Sequence, residues 1–242
     1  MIEAKVNELL NWEKFQLYDE VNDVGQEYMT VQWVVSQKYE DEKRIVKARL
    51  VAHGFQEKDR LKKDSPTASK ESVRIPLFFA LNRSFRIHSL DVKSAFLQGN
   101  QIYHIVFLKP PKEAQINCLW RLNKCVYVLK DASRLWYLRI HELLTSKFGM
   151  LSIVLDESMF IWKSQGALEG MICLHVDDFI WAGSEKFKNQ VMEEITKTFQ
   201  IKCQEEGSFK YLGLQIEQRK DIIVISQWHY IEPIDDIDIS KR

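Results

Sequence analysis

Two adjacent carboxylates, Asp177 and Asp178, interrupt an otherwise apolar stretch, MICLHVDDFIWAG. Taken alone, an aspartate pair there reads first as a hairpin tip, because Asp is a common turn residue. A third carboxylate, Asp91, ends the strand-like segment RIHSLD just before VKSAFL, where an aspartate also serves as an ordinary helix cap. If those strand ends adjoin, the three acids form a hard oxygen site that suits Mg²⁺ and leaves room for phosphates. Two ions about 3.5–4 Å apart can activate an attacking hydroxyl and stabilise the leaving oxygen of an in-line phosphoryl transfer. Lys47 and Arg49, two residues apart on one strand, share a face and supply positive charge for a triphosphate. Without that context they equally suit a solvated strand edge.

These residues need a sheet to bring them together, and the apolar periodicity supplies its parts. Residues 2–15 have the spacing of a short amphipathic helix, and 30–35 and 44–52 read as strands around YEDEK. Residues 70–81 have helical spacing interrupted by Pro76, and YHIVFL reads as a strand after the Gly99–Asn100 break. A helix is expected over 133–148, a strand over 158–163, strands on both sides of the aspartate pair, and a helix capped by Ser184 through Phe199. Strands near YLGLQI and DIIVIS close the order. The mixture implies an α+β fold, a split βαβ-like antiparallel sheet with helices on one face.

The 242 residues carry 34 Lys plus Arg and 34 Asp plus Glu, a formal charge of zero. That excludes a uniformly basic nucleic-acid coat protein and an acidic disordered tail. The neutrality is segmental, however. Residues 43–150 hold 21 basic and 8 acidic side chains, whereas 1–42 and 151–242 are net acidic. A basic middle is compatible with a surface for phosphate-bearing ligands, and equally with charge blocks that fold into mixed faces. The four cysteines lie in or beside apolar runs, with no C-x-x-C pair and no histidine at zinc-site spacing, and read as buried reduced thiols. No apolar run approaches a membrane span, so no membrane partner is expected and the default setting is intracellular.

In order along the chain, KARLVAHGF, SPTASKESVR, IHSLDVKSAFLQG, VFLKPPKE, KCVYVLKDASRLWY, HVDDFIWAG, YLGLQI and ISQWHY closely resemble the reverse transcriptase of Ty1/copia-type LTR retrotransposons. The resemblance runs from about Trp33 to Tyr230. It implies a fingers-and-palm polymerase core: a lead-in over 1–42, a basic fingers-like region over 43–86, a palm with parts of the fingers over 87–228, and a truncated tail over 229–242. It places Asp91 and Asp177 on two Mg²⁺ ions, with Mn²⁺ as a substitute, and Asp178 as a supporting carboxylate. Lys47 and Arg49 then meet the incoming nucleotide's phosphates. Phe96 falls where the family crowds the sugar 2′-position, although an aromatic packing a short helix into the core accounts for it as well. Residues 209–216 match a hairpin that grips the primer end.

Three positions depart from the pattern. His175 stands for Tyr in Y-V-D-D; Asp131 stands for Gln in L-K-Q-A, putting an acid beside the nucleotide; Val128 stands for the Gly of Y-G-L, in a turn that favours a residue without Cβ. The sequence ends where the family continues into a thumb and a ribonuclease H domain, so the expected core has its thumb missing or truncated. The resulting expectation is RNA-directed DNA polymerisation on a primed RNA or DNA template with deoxynucleoside triphosphates, in the cytoplasm or a virus-like particle. The alternatives are a catalytically inactive remnant with weak nucleic-acid binding and, ranked below it, a metal-dependent nuclease or cyclase. Nothing in the sequence sets an oligomeric state.

Overall fold

Alternating apolar and polar side chains shape most of the strands, and the order is easiest to follow along the chain. In the computed structural model, which describes residues 1–40, 43–58 and 62–232, the first helix is α1 (Ile2–Lys14), followed by β1 (Tyr18–Val21), β2 (Val31–Glu40) and β3 (Lys43–Ala52). Next come α2 (Lys70–Arg83), β4 (Ile87–Val92), a 3-10 turn at Ala95–Gln98, β5 (Phe107–Leu108), β6 (Leu119–Leu122) and α3 (Ala132–Glu142). The remainder holds β7 (Leu151–Ile153), β8 (Asp156–Ser164), β9 (Ala167–His175) and β10 (Asp178–Gly183). Helices α4 (Glu185–Phe187) and α5 (Glu193–Thr198) flank a π-turn, and β11 (Ile201–Glu206), β12 (Ser208–Tyr211), β13 (Leu214–Gln218), β14 (Ile223–Ser226) and α6 (Trp228–Ile231) follow.

The chain divides into two units, Met1–Ser65 with Ser94–Leu143, and Pro66–Lys93 with Leu144–Arg242. The chain passes between the units three times, at Ser65–Pro66, Lys93–Ser94 and Leu143–Leu144, and a proline marks the first crossing.

In the first unit β2 and β3 form a ten-residue antiparallel hairpin, and β1, β6 and β5 form a small sheet. Trp12, Leu17, Leu50, Leu97, Leu108 and Trp120 are fully buried among its core residues. The expected strand YHIVFL shrinks to Phe107–Leu108, because Tyr103 and Ile105 face solvent while His104 turns inward. Val128 has φ +74°, a conformation that Cβ crowding penalises by about 1–2 kcal/mol in an L-residue. The Gly expected at that place would have suited it. Since the Val128 side chain is 60% exposed, Val128→Gly forfeits little packing. Net of the extra chain entropy glycine brings to the unfolded state, it should stabilise the protein by about 1 kcal/mol, read as a small rise in melting temperature.

The second unit is built on a six-stranded sheet in the order β11-β4-β10-β9-β8-β7, every neighbour antiparallel. Because β10 runs antiparallel to both flanking strands, β4 and β9 are parallel with β10 inserted between them, the split arrangement the element order suggested. Helix α2, capped by the Ser69 hydroxyl, which accepts from the Ser72 N–H at 3.0 Å, packs with Ile87, Cys173, Ile180 and Ala182. It continues unbroken through Pro76, whose ring is buried; core burial there outweighs one lost backbone hydrogen bond.

Trp181 lies between Ile180 and Ala182 in β10 and so faces the opposite way. Its ring meets Phe187 of α4 at a centroid distance of 6.0 Å. Helices therefore cover both faces of this sheet, which corrects the one-face expectation. Apolar residues at every position of FIWA, all buried, are the signal that both faces are covered.

Candidate functional site

The β9–β10 hairpin is closed by a two-residue turn, Val176–Asp177. Val176 has φ +58°, the positive value that such turns need at their first central position and usually fill with glycine. A β-branched residue held there stores backbone strain of about 1–2 kcal/mol. The turn is pinned from the neighbouring strand, since the Val92 N–H donates to the Asp177 carbonyl at 2.9 Å. Asp178 is the register partner of Asp91, so both carboxylates project from the same face at the same end of adjacent strands. Behind them Leu90, Phe179, Ile180 and Trp181 are 0–1% exposed, which fixes the strand ends that carry the acids. The sheet thus brings Asp91, Asp177 and Asp178 together as the spacing suggested.

On the far side of β4, the register of β11 shifts between Ile201 and Cys203. Lys202 sits at this irregularity and gives its ammonium to Asp91 Oδ2. That contact is the largest cause holding the Lys202 ammonium above its usual range. Sequence reasoning missed Lys202 because IKCQEE was not expected to be a strand; the alternation Ile201, Lys202, Cys203, Gln204 was the available signal. Asp91, Asp178, Lys202, Lys210 and Tyr211 line a cavity of about 220 Å³.

Burial first, then the negative charges of Asp177 and Asp91, push the Asp178 carboxyl up from 3.8 to about 6, against a lowering contribution from Lys202. The folded chain therefore keeps a proton on Asp178 over the interval between those values, where the unfolded chain has lost it. Stability falls as pH rises through that window, and the cost is complete above about 6. Asp178→Asn should accordingly melt higher than wild type at about pH 7.5 without divalent ions, by ~1–2 kcal/mol after discounting for partial exposure, and equal to it below about pH 4.

The same crowding is the test of fit for a divalent cation. Burial, with the negative charges of Asp177 and Asp91 added, makes the ionised form of Asp178 costly, and a lysine ammonium already occupies part of the place a metal charge would take. The donors fit a hard divalent ion. Among the described residues, the only set of three His, Cys, Asp or Glu donors lying within 4.8 Å of one another is elsewhere, at Glu57, His104 and Asp131.

Beside the turn, Ser69, Lys70, Arg74, His175, Leu212 and Gln227 line a groove of about 650 Å³. His175 Nδ1 is buried there with no hydrogen-bond partner. The hairpin of β12 and β13 is tied to the acids through Tyr211, whose hydroxyl donates to the Asp178 carbonyl at 3.4 Å.

The other expected site residues belong to the first unit. Lys47 and Arg49 lie two apart on β3, and both lower the pKa of Glu8, which burial raises. The Arg49 guanidinium lies 5.9 Å from the Tyr127 ring centroid. Phe96 is half-buried, packs on the core and meets Tyr127 edge-on at 6.2 Å, so its packing role is real. Asp131, expected beside a nucleotide, lies at the start of α3. It is 6% exposed and accepts from the Cys125 thiol at 3.2 Å. Of the cysteines expected to be buried, Cys125 and Cys173 are, whereas Cys118 and Cys203 are half-exposed at strand margins; all four are free thiols.

Residues 13–240 match the family model described as reverse transcriptase (RNA-dependent DNA polymerase). This chain belongs to that reverse transcriptase family. The Retrovirus-related Pol polyprotein from transposon RE1 of Arabidopsis thaliana is 30% identical over 208 residues, covering 82% of this chain and 14% of the relative. The corresponding polyprotein from transposon TNT 1-94 of Nicotiana tabacum is 27% identical, covering 87% of this chain and 16% of its own length. The transposon Ty1-DR4 Gag-Pol polyprotein of Saccharomyces cerevisiae is also 27% identical, with 89% and 14% covered. The chain thus spans about one seventh of the length of these relatives. Among solved structures, a foamy viral protease-reverse transcriptase in complex with double-stranded DNA superposes with TM-score 0.51 at 12% identity, over 93% of this chain and 35% of that one. An apo telomerase from Candida tropicalis gives 0.53 at 9%, over 91% and 51%. Those likenesses show a polymerase fold, α+β with antiparallel sheets. Among the described residues of this reverse transcriptase family member, no helix is long and apolar enough to cross a membrane.

Proposed function

We propose that the chain is the RNA-directed DNA polymerase portion of a Ty1/copia-type Pol polyprotein, extending a primer 3′-hydroxyl with deoxynucleoside triphosphates on an RNA or DNA template. The observation that carries this reading is the pairing of Asp178 with Asp91 on one sheet face, with Asp177 on the adjoining turn. Asp91 and Asp177 would hold two Mg²⁺ ions, with Asp178 as a supporting carboxylate. When bound, such ions favour the ionised primer hydroxyl and offset the negative charge that builds on the transferring phosphate. The chain's own part is positional. Rigid strand ends present the acids, and Val176 keeps the turn tight. Lys70 and Arg74, in the groove beside His175, bind the backbone of the primer–template. Lys47 and Arg49, in the fingers-like region read over 43–86, meet the triphosphate, and the exposed part of Phe96, in the palm with parts of the fingers read over 87–228, meets its sugar. The activity is read as intracellular, in the cytoplasm or a virus-like particle, a reading that the kinship with retrotransposon polyproteins supports.

The test is primer extension on an RNA template with Mg²⁺, then with Mn²⁺. Wild type should add deoxynucleotides and discriminate against ribonucleotides. A folded chain that adds none under either metal overturns the proposal. Lys47→Gln and Arg49→Gln should raise the KM for the nucleotide by about tenfold each, the loss of one charge-assisted phosphate contact. Neutral replacements are the informative ones here, because a new acid would sit beside the buried Glu8.

A further inference from the structure

We propose that Glu57, His104 and Asp131, with Cys125 beside them, form a second metal site in the first unit, selective for Zn²⁺-like transition metals over Mg²⁺. It is separate from the three aspartates and does not depend on the polymerase reading.

One donor atom from each of Glu57, His104 and Asp131 lies within 4.8 Å of the others. The Glu57 and Asp131 side chains are 3% and 9% exposed, and that of His104 is 13% exposed. Each carboxylate is held by a donor on one oxygen and turns the other toward the imidazole. Glu57 Oε2 accepts the Lys130 backbone N–H at 3.0 Å while Oε1 faces His104 Nε2 at 3.0 Å. Asp131 Oδ1 accepts the Cys125 thiol at 3.2 Å while Oδ2 stands 3.8 Å from His104 Nδ1. Orientation of ligands by outer hydrogen bonds is how metal sites are commonly prepared. Asp131 occupies the N-cap position of α3 yet makes no capping hydrogen bond, so its carboxylate is turned away from the use its place in the helix offers.

Charge gives the same direction. Two buried carboxylates facing one imidazole keep a net negative charge even when that imidazole is protonated, and 3.8 Å is too long for a hydrogen bond to Asp131. The Lys130 ammonium donates to the Glu57 backbone carbonyl. A divalent ion at the centre resolves the imbalance. Donors about 2.0–2.2 Å from a tetrahedral Zn²⁺ lie roughly 3.3–3.6 Å apart, so the three donors, now within 4.8 Å of one another, close in on the ion through one His104 ring nitrogen. Imidazole and thiol donors favour Zn²⁺, Co²⁺ and their neighbours, whereas Mg²⁺ seeks an all-oxygen octahedron. Cys125, fully buried and bonded to Asp131 Oδ1, stands outside that set of three and becomes the fourth ligand by moving its sulfur from Asp131 to the metal, a step that releases its thiol proton. The donors come from three separate loops, which is why no zinc spacing is legible in the sequence.

The experiment is calorimetric Zn²⁺ titration of the whole chain with saturating Mg²⁺ present, paired with Co²⁺ absorption spectra. One Zn²⁺ per chain is expected, with affinity at least ~100-fold lower in His104→Gln and in Asp131→Asn. Co²⁺ should give tetrahedral visible bands and a thiolate charge-transfer band that disappears in Cys125→Ser and persists in Cys203→Ser. Zn²⁺ binding lost in Asp91→Asn but kept in His104→Gln overturns the proposal, as does the absence of stoichiometric binding, which would mark the cluster as an ion triad around a protonated histidine. The wild-type Co²⁺ spectrum decides the matter even where a substituted chain fails to fold. Asp91→Asn should retain the Zn²⁺ site while losing primer extension, so the two readings fail separately.

Discussion

Asp177→Asn should lower the rate of nucleotide addition by about 10³-fold or more while the chain stays folded and still binds primer–template. The size follows from what a carboxylate-held cation supplies to phosphoryl transfer, several kcal/mol, with each 1.36 kcal/mol worth about tenfold in rate. The fold should survive because the Asp177 contact across the sheet is made by its backbone carbonyl, which asparagine keeps. Asp91→Asn should show a comparable loss, with one difference. It also removes the charge partner of Lys202. Asp178→Asn should lose less activity, as befits a supporting carboxylate, and should gain stability at neutral pH. Single-turnover incorporation beside a thermal melt for each variant separates these effects; equal loss in all three, or none in Asp177→Asn, contradicts the assignment.

Gly54→Ala should destabilise the first unit by ~3 kcal/mol, a large effect for one methyl group. A Cβ on Gly54 would stand 2.0 Å from the Val128 carbonyl oxygen and 3.0 Å from its carbon. The obstacle is backbone, which cannot swing aside as a flexible side chain does. The Val128 segment is already held at positive φ, so it has little freedom to retreat. A thermal or denaturant melt reads the change directly. Combining Gly54→Ala with Val128→Gly should recover part of the loss, since a glycine at 128 can shift more freely. Simple additivity of the two would mean that the contact is not what limits Gly54.

The strands flanking the aspartates were legible because MICL and FIWA carry enough contiguous apolar residues to demand burial, and the polar break between them marks the turn, which falls on Val176–Asp177 and leaves Asp178 to open β10. Ser184 was legible as a cap for a chemical reason, and its hydroxyl accepts from the Phe187 N–H at 3.2 Å. What escaped reading was non-local. Strand β11 is short and mostly polar because it lies at the sheet edge, so IKCQEE gave little apolar signal, and Lys202 went with it. YHIVFL has a strand's composition, but the inward turn of His104 toward Glu57, 47 residues away in sequence, overrides local preference. Asp131 matched a family position by sequence order, yet its surroundings are set by Cys125 and His104, which no spacing rule connects to it. The zero net charge was likewise uninformative as a sum. It averages a basic 43–150 segment holding Lys47 and Arg49 against an acidic 151–242 segment holding two of the three aspartates.

The most direct measurement is iron-localised cleavage of the wild-type chain. Fe²⁺ replaces Mg²⁺ at oxygen-donor sites, and with ascorbate and peroxide the radicals it forms cut the backbone close to where it is held. Carboxylates that hold divalent ions should give cuts flanking Asp91 and the adjacent Asp177 and Asp178, suppressed by excess Mg²⁺ and lost in Asp91→Asn. Cuts confined to other segments, or unchanged by that substitution and by Mg²⁺, would contradict a catalytic metal site at these three aspartates.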